Sequence, residues 1–197
     1  MYFKLMWIIR AFLYKPFFGH FALPSYIGKP IFLYGVKKIF IHKNVRIFPN
    51  IRMEVHGENS SITIKQDVGI AQNVHITSAS NLVIGKSCTI LANVFITNID
   101  HGYERIDVNI LKQEMIVRDT QLGENCFIGI GAAIQAGTIL GNHCIVGTNS
   151  VVRGVFPDYS VIVGIPAKVV KRYNFESKLW EKTNPDGSFL NTKYNII

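Results

Sequence analysis

Cysteine is scarce in this sequence, and its spacing excludes two common structural roles. The 197 residues contain three cysteines, which give no even disulfide framework and no CxxC metal-binding pair. No apolar stretch reaches the roughly 20 residues of a membrane-spanning helix, because Lys4, Arg10 and Lys15 interrupt the most apolar region. A secretory pattern with a small-residue cleavage site is also absent. These absences predict a reduced, cytoplasmic location.

Acidic residues are missing from one whole section of the chain. Residues 1–53 hold nine Lys or Arg and no Asp or Glu, whereas residues 54–167 hold six basic and ten acidic residues. Apolar residues make up 48% of the chain, which excludes a disordered protein. The basic section predicts an anionic partner near the N-terminus. Charge alone leaves phospholipid, a phosphorylated substrate and nucleic acid open.

Aliphatic residues recur at every sixth position through much of the chain. A small residue often follows four places later, and a glycine often follows directly. The aliphatic positions are Ile64, Ile70, Ile76, Ile84, Ile90, Ile96, Leu122, Ile128, Ile134, Leu140, Val146 and Val152. The small positions in the second half are Cys126, Ala132, Thr138, Cys144 and Ser150. A weaker version of the pattern begins near Ile41.

A period of six fits neither an amphipathic helix, with apolar spacings of three and four, nor the alternation of a half-buried strand. It predicts a short strand and a turn, repeated three times to close a triangular coil of about 18 residues. Neighbouring coils are expected to pair at about 4.8 Å, as strands do in a sheet. The glycines are expected to relieve backbone strain at the turns. The sequence therefore predicts an all-β fold, a parallel β-helix.

The run LGENCFIGIGAAIQAGTILGNHCIVGTNSVV resembles the hexapeptide-repeat acyltransferases, and the resemblance covers about residues 40–172. Two further motifs support it: NIDH, which begins at Asn98, and VGIPAKVVK, which begins at Val163. In detail the chain is most similar to bacterial O-acetyltransferases of O-antigen or capsule sugars, relatives of the galactoside and maltose acetyltransferases. The resemblance implies a left-handed winding and transfer of an acetyl group from acetyl-coenzyme A (acetyl-CoA).

Three segments are expected on this interpretation. They are an N-terminal helical cap at residues 1–38, the β-helix at residues 39–172 with a polar surface loop at 101–117, and a C-terminal helix and tail at residues 173–197. The short C-terminal helix is expected at residues 174–182 with Trp180 inward. The tail from Thr183 is expected to be mobile.

An amphipathic helix is predicted near the N-terminus, where Pro16 ends it. Its apolar residues, spaced three and four apart, are Leu5, Ile8, Ile9, Phe12 and Leu13. Capping the open end of the solenoid is the favoured role. A peripheral contact of residues 1–20 with an anionic membrane is compatible with capping, because basic residues accompany the apolar face.

His101 is the predicted general base. Transfer to a hydroxyl needs a group that accepts the proton and a donor that stabilises the oxyanion. Histidine suits the first role because its ordinary pKa is about 6.5. The resemblance implies that the histidine opening the irregular loop takes this role, and His101 matches that position. Asn98 and Asp100 are expected to orient its ring.

Two other chemistries receive less support from the sequence. A zinc site like that of the β-helical carbonic anhydrases would draw on His75, His101 and His143, but these are not clustered in sequence, and we expect no metal. Counting hexads places His75 at a different corner of the coil from His101, and His143 at a turn. The three cysteines occupy small inward positions, so burial explains them better than acyl-cysteine catalysis does.

The resemblance also implies a binding site for acetyl-CoA. The matching positions are Phe127, Ile130, Thr148, Arg153, Lys168 and Lys171. Ile130 would act through its backbone as the oxyanion donor, and the lysines near the last coil would bind phosphates. The chain departs from the family at two positions, with Phe127 where Trp is common and Arg153 where Thr is usual.

The family further implies a homotrimer with sites between subunits. The outward apolar residues Phe95, Phe127, Ile130 and Ile145 are consistent with buried subunit contacts. The predicted function is O-acetylation of a surface-polysaccharide sugar, with a lipid-linked saccharide as one hypothesis for the acceptor. Acetylation of an amino sugar or a serine-type acceptor, and a non-catalytic scaffold, are the alternatives. Nucleic acid is not an expected partner, because no binding module is recognisable.

Overall fold

A computed structural model describes residues 2–190 and shows a solenoid of seven short coils preceded by one helix. In chain order the elements are α1 (Tyr2–Tyr14); β1 (His20–Phe21), β2 (Tyr26–Ile27), β3 (Phe32–Tyr34); β4 (Ile39–Ile41), β5 (Arg46–Ile47), β6 (Arg52–Val55); β7 (Ser61–Ile64), β8 (Gly69–Ile70), β9 (His75–Ser78); β10 (Asn81–Ile84), β11 (Thr89–Ile90), β12 (Phe95–Thr97); β13 (Ile99–His101), β14 (Met115–Val117); β15 (Gln121–Leu122), β16 (Phe127–Ile128), β17 (Ala133–Ile134); β18 (Ile139–Leu140), β19 (Ile145–Val146), β20 (Val151–Val152); and β21 (Val155–Phe156), β22 (Ser160–Gly164), β23 (Ala167–Asn174), β24 (Leu179–Lys182). Short 3₁₀ turns occupy Lys15–Phe17, Val36–Lys38 and Ile110–Lys112.

Successive coils stack so that their strands form three parallel sheets, the faces of a prism. Face A contains β1, β4, β7, β10, β15, β18 and β21; face B contains β2, β5, β8, β11, β16, β19 and β22; face C contains β3, β6, β9, β12, β17 and β20. β15 pairs with β18 in the register Gln121–Ile139, one coil of 18 residues. The predicted parallel β-helix is confirmed, and its topology fits the left-handed winding that the resemblance implies.

The predicted inward residues form one continuous core. All of the aliphatic hexad positions and the small positions are buried. Cys88, Cys126 and Cys144 occupy equivalent sites in three successive coils, at the corner between faces A and B. Each thiol donates a hydrogen bond to a carbonyl of the following coil, at 3.0, 3.2 and 3.3 Å respectively. The predicted burial of the cysteines is therefore confirmed.

Residues in the left-handed region turn the corners. Between faces A and B the residues with positive φ are Asn44, Asp67, Ser87, Asn125, His143 and Tyr159. Between faces B and C they are Asn50, Asn73, Asn93, Gly131 and Asn149. Asparagine suits these corners because it tolerates positive φ better than most residues with a side chain. The expected position of His143 at a turn is confirmed.

The glycines after the aliphatic residues have a different role from the expected one. Among the described residues, positive φ occurs at the corner residue two places later and not at Gly123, Gly129, Gly141 or Gly147. A Cβ atom on Gly123 would lie only 2.5 Å from the carbonyl carbon of Gly141 in the next coil. The missing side chain thus allows close approach of neighbouring coils, and the prediction that these glycines relieve strain at the turns is wrong.

The first coil precedes the expected boundary at residue 39. β1, β2 and β3 belong to faces A, B and C, so the solenoid begins at His20. Phe21, Ile27 and Leu33 continue the spacing of six, and the first two are buried. The pattern is weak here because exposed Ile31 occupies the position where a small buried residue is expected.

Helix α1 packs against the first coil and also touches the second. The Trp7 ring lies 5.7 Å from the Tyr26 ring and 5.3 Å from the Phe48 ring, measured between centroids. The Arg10 guanidinium donates to the Ile27 carbonyl at 3.3 Å. In later coils the equivalent carbonyl accepts a hydrogen bond from a backbone N–H of the preceding coil. No coil precedes the first one, so the Arg10 guanidinium satisfies this carbonyl at the sheet edge. Within residues 2–190 no helix is long and apolar enough to cross a membrane.

The predicted C-terminal helix at residues 174–182 is wrong, because this segment forms a turn and the strand β24. β23 pairs antiparallel with β22, and β24 pairs antiparallel with β23. The last coil leaves an unpaired edge of face B, and backbone pairing with that edge replaces helical hydrogen bonding. Trp180 lies opposite Tyr173, with 5.7 Å between ring centroids.

The segment after β24 folds back onto β23. Thr183 forms a β-bridge with Phe189, and the Arg172 guanidinium donates to the Gly187 carbonyl at 3.1 Å. The remainder of the tail that was expected to be mobile, residues 191–197, lies outside the described residues.

An antiparallel ribbon forms the base of the predicted loop. Ile99 of β13 pairs with Val117 of β14, and His101 pairs with Met115. The break in the hexad rhythm at residues 101–117 is confirmed. The loop is more regular and less uniformly polar than expected, because Ile106 and Leu111 are exposed at its tip.

Substituting Gly123 by Ala tests the close approach of coils. The added Cβ would overlap the backbone of Gly141, so we expect the free energy of unfolding to fall by about 1–3 kcal/mol. Urea denaturation followed by circular dichroism measures this change.

Gly69→Ala is the matched control. A Cβ there would meet only the Arg46 side chain, at 3.6 Å, so we expect stability to be unchanged or slightly raised. An equal loss in the two variants would contradict the proposed role of Gly123.

Candidate active site

His101 stands where the chain leaves the corner between faces C and A. It ends β13, and its side chain is exposed. Two cavities share this side chain. A cavity of about 300 Å³ is lined by Asp100, Tyr103, Glu104, Ile116, Arg118 and Arg153, and one of about 360 Å³ is lined by His56, Thr77, Phe95, Thr97, Ile99 and Met115. A histidine between two cavities is placed to contact two substrates.

Asp100 binds two guanidinium groups. Its Oδ2 accepts from Arg118 Nη1 at 2.9 Å and from Arg153 Nη2 at 2.5 Å. The structure therefore brings three of the predicted residues, Asp100, His101 and Arg153, into one cleft. Within residues 2–190 Asp100 forms no hydrogen bond with the His101 ring, so its orienting role stays a prediction.

Asn98 is fully buried beneath the loop. Its Nδ2 donates to the Ser78 and Ser80 hydroxyls at 2.9 and 2.8 Å, and its Oδ1 accepts from the Ala79 N–H at 2.8 Å. Its backbone carbonyl accepts from the Arg118 N–H at 2.9 Å, which closes the loop base. The side-chain amide is engaged with the third coil, so here Asn98 anchors the loop instead of orienting the His101 ring.

A charged cluster lies on face C beside the larger cavity. Glu54 contacts Arg52 at 2.5 Å, His75 at 3.2 Å and His56 at 3.4 Å. Partial burial by itself raises the pKa of the Glu54 carboxyl. Hydrogen bonds and charge interactions with Arg52 and His75 lower the pKa by more, so it lies below its ordinary value. Burial lowers the pKa of His75, whose ring lies 5.1 Å from that of Phe95. A mostly buried, ionised carboxylate and a neutral imidazole therefore lie side by side here near neutral pH.

Most of the predicted cofactor residues lie away from His101, on face B and at the corner between faces B and C. Phe127 belongs to β16 on face B, and β23, with Lys168 and Lys171, extends the same sheet. Ile130 and Thr148 occupy the adjoining corner in successive coils. All of these side chains are exposed.

This surface has the chemistry that a CoA thioester requires. Phe127 and Ile130 offer apolar area, and the Ile130 N–H donates to no other group within residues 2–190. Lys168 and Lys171 form no ion pair within the same residues. Apolar area suits the pantetheine arm, a free amide suits a carbonyl oxygen, and cations suit phosphates. The residues therefore fit acetyl-CoA, but within one chain they occupy a different corner from His101.

The histidines of the zinc alternative do not converge. His75 begins β9 directly after the corner between faces B and C, and it pairs with Phe95 of β12. His101 follows Phe95 by six residues, at the corner between faces C and A, so the expected position of the two histidines at different corners is confirmed. His143 stacks on Tyr159 at 5.5 Å, at the corner between faces A and B. Within the described part of the chain, no three His, Cys, Asp or Glu side chains are grouped to hold a metal.

The cysteines are unsuited to nucleophilic catalysis because all three are buried. Contact with the Cys126 thiol lowers the pKa of the Cys88 thiol, but its burial keeps it away from a substrate. The pKa of the Cys144 thiol is raised by contact with the Cys126 thiol and by burial. A thiol whose pKa is raised is protonated at neutral pH and reacts slowly.

Two residues that shape the cleft were not predicted from the sequence. Arg118 binds Asp100, and Met115 pairs with His101. Both follow from the β13–β14 ribbon. The β-branched residues Ile116 and Val117, which lie opposite Asp100 and Ile99 respectively, are the signal that predicts such a ribbon.

Comparisons with known proteins agree with the fold. The model for the family "Bacterial transferase hexapeptide (six repeats)" matches residues 119–154. A protein of Escherichia coli (strain K12), WbbJ, described as a lipopolysaccharide biosynthesis O-acetyl transferase, is 36% identical over 143 residues, which are 67% of this chain and 70% of WbbJ. A serine acetyltransferase of Staphylococcus aureus is 31% identical over 113 residues. The match covers 57% of this chain and 50% of that relative.

A solved structure extends the likeness of fold. The N-acyltransferase AntD from Bacillus cereus, in complex with dTDP and 3-hydroxybutyryl-CoA, superposes with a TM-score of 0.71 at 18% identity, over 85% of this chain and 90% of AntD. At that identity the match supports the fold alone. The identity with WbbJ over most of its length, together with the hexad array, shows that this chain belongs to the bacterial hexapeptide-repeat transferases.

Proposed function

We propose that this protein transfers the acetyl group of acetyl-CoA to a sugar hydroxyl of a bacterial surface polysaccharide, O-antigen or capsule, or of its precursor. The observation that carries the proposal is His101 at the mouth of two cavities, on a hexapeptide solenoid that is similar to an O-acetyl transferase of lipopolysaccharide biosynthesis. The three free, buried cysteines fit a reducing compartment, and we place the reaction in the cytoplasm.

His101 acts as the general base in this proposal. Its imidazole accepts the proton of the sugar hydroxyl while the hydroxyl oxygen attacks the thioester carbonyl carbon. The Ile130 N–H donates to the carbonyl oxygen as negative charge develops there. The new C–O bond replaces the C–S bond, and the departing thiolate takes the proton from the imidazolium. The products are an acetyl ester and the free thiol of CoA.

The larger cavity is the proposed acceptor site. Phe95 offers an aromatic surface for one side of a sugar ring, and Thr77 and Thr97 line the same cavity. Glu54 stands beside it as an ionised acceptor for further hydroxyl groups. Hydroxyl-rich ligands need such acceptors, because their buried O–H groups must be paired.

A second chain completes the proposed site. The donor surface and His101 occupy different corners of one solenoid, so a neighbouring solenoid must bring them together. The exposed apolar tip of the loop, at Ile106 and Leu111, and the outward apolar residues Phe127 and Ile145 offer area for that contact. We therefore propose a homotrimer whose sites lie between subunits, with the loop of one chain reaching its neighbour.

His101→Ala tests the general base. We expect kcat to fall at least about a hundredfold, with the KM for acetyl-CoA little changed, because the proton acceptor is lost while the donor surface remains. Release of free thiol with saccharide acceptors measures the rate.

His20→Ala is the matched control, since His20 is exposed on the first coil and far along the solenoid from the loop. Near-normal turnover by the His101 variant would refute the assignment. Transfer to amino sugars or serine, with none to sugar hydroxyls, would replace the proposed acceptor by the amine or serine alternative.

The double variant Lys168→Gln/Lys171→Gln tests the phosphate contacts. We expect the KM for acetyl-CoA to rise about tenfold with kcat nearly unchanged, because charge-assisted hydrogen bonds to the phosphates are lost. Steady-state kinetics at low and high salt provide the measurement. Lys65→Gln, at an exposed lysine that follows β7 on face A, is the control, and an equal rise in its KM would contradict a specific role for the first two lysines.

Sedimentation equilibrium tests the trimer. We expect the mass of three chains, and a shift toward single chains in Ile106→Asp, because a charge cannot be buried without a partner at an apolar contact. A fully active single chain would show that the site does not span two subunits.

A further inference from the structure

Helix α1 has two opposite apolar faces, and the solenoid covers only one of them. The covered face consists of Trp7, Ala11 and Tyr14, which are buried or half-buried against the first coil. The exposed apolar residues are Leu5, Met6, Ile8, Ile9, Phe12 and Leu13. At 100° per residue, this second set centres on the opposite side of the helix.

The apolar face predicted from the sequence is therefore the outward one. Leu5 is 57% exposed and Leu13 is 65% exposed. Trp7 and Ala11 perform the capping that was predicted for the periodic face. An apolar face that is not needed for the cap, and is open to water, is typical of an interaction surface.

The charges around this face indicate its partner. Lys4 and Lys15 flank the outward face and are exposed. Residues 1–53 carry nine basic and no acidic side chains. An anionic surface complements such a region, whereas the same basic region of a second copy would repel it.

A cleft beside the helix adds apolar volume. Ile8 and Phe12 line it from the helix, and Leu23 and Tyr26 line it from the first coil, around about 470 Å³. An apolar cleft that opens next to an exposed apolar helix face suits a single hydrocarbon chain.

We infer that α1 docks this protein on an anionic phospholipid surface. Its outward face enters the boundary between headgroups and acyl chains, and Lys4 and Lys15 contact the headgroups. This inference is independent of the proposed acetyl transfer, because none of its residues belongs to the candidate active site.

Flotation with vesicles tests the inference on the full chain. We expect the protein to float with vesicles of phosphatidylcholine and phosphatidylglycerol, and to float less with phosphatidylcholine alone or at high salt. Absence of flotation with the anionic vesicles at low salt would overturn the inference.

Two leucines with nearly the same exposure provide a matched pair of variants. Leu13 is 65% exposed on α1, and Leu179 is 63% exposed at the other end of the chain. We expect Leu13→Ser to weaken vesicle binding about tenfold, because the apolar side chain no longer enters the membrane, and Leu179→Ser to bind as the parent chain does. Equal binding by all three proteins would overturn the inference.

Lys4→Gln/Lys15→Gln separates the charge from the apolar contact. We expect this variant to lose the preference for phosphatidylglycerol while retaining weak binding to phosphatidylcholine. Thermal unfolding of each variant is expected to match the parent chain, since all four side chains are exposed. A preference for phosphatidylglycerol that survives both substitutions would contradict the role of these lysines.

A second copy of the chain is the competing occupant. If Leu13→Ser reduces the sedimenting mass and the parent chain does not float with vesicles, the face contacts another copy and the lipid inference is wrong. Thiol release with a water-soluble saccharide does not depend on this surface. Failure of the lipid inference and failure of the proposed function are therefore distinguished.

Discussion

Each coil donates backbone N–H groups to carbonyls of the following coil, and this ladder forms only where the coils approach closely. Glycine is required where the backbones approach most closely, as at Gly123 against Gly141. Left-handed corner residues, mostly asparagine, return the chain to the next face without lengthening the coil. Outward side chains are largely free of this constraint, so chemistry is concentrated at corners and outer faces.

The loop with the candidate base interrupts the ladder, and buried polar side chains replace the missing backbone contacts. Asn98 binds Ser78 and Ser80 of the preceding coil, and the Thr120 hydroxyl donates to the Thr97 carbonyl at 2.9 Å. A buried polar group that lost these partners would cost about 1–3 kcal/mol. The insertion therefore leaves from a rigid base, and His101 lies only three residues beyond Asn98.

The core was predictable from the sequence because the inward positions depend on local spacing alone. Features that depend on the adjacent coil were not predictable in this way. The role of Gly123 depends on Gly141, and that of Asn98 depends on two serines of the preceding coil. Helix α1 shows the same limit, because periodicity identified an apolar face but not which face packs. His101 and Arg153 were found through the family resemblance, and their common cleft came from the structure.

One coil carries an insertion that the others lack, and this insertion has a consequence for how the coils align with one another during folding. Successive coils are so alike that a chain displaced by one whole turn would still keep aliphatic residues inside. Such a displacement would move the insertion away from its serine partners and leave the Asn98 amide enclosed without them. The groups that hold the histidine in place thus also mark the correct alignment among several similar ones.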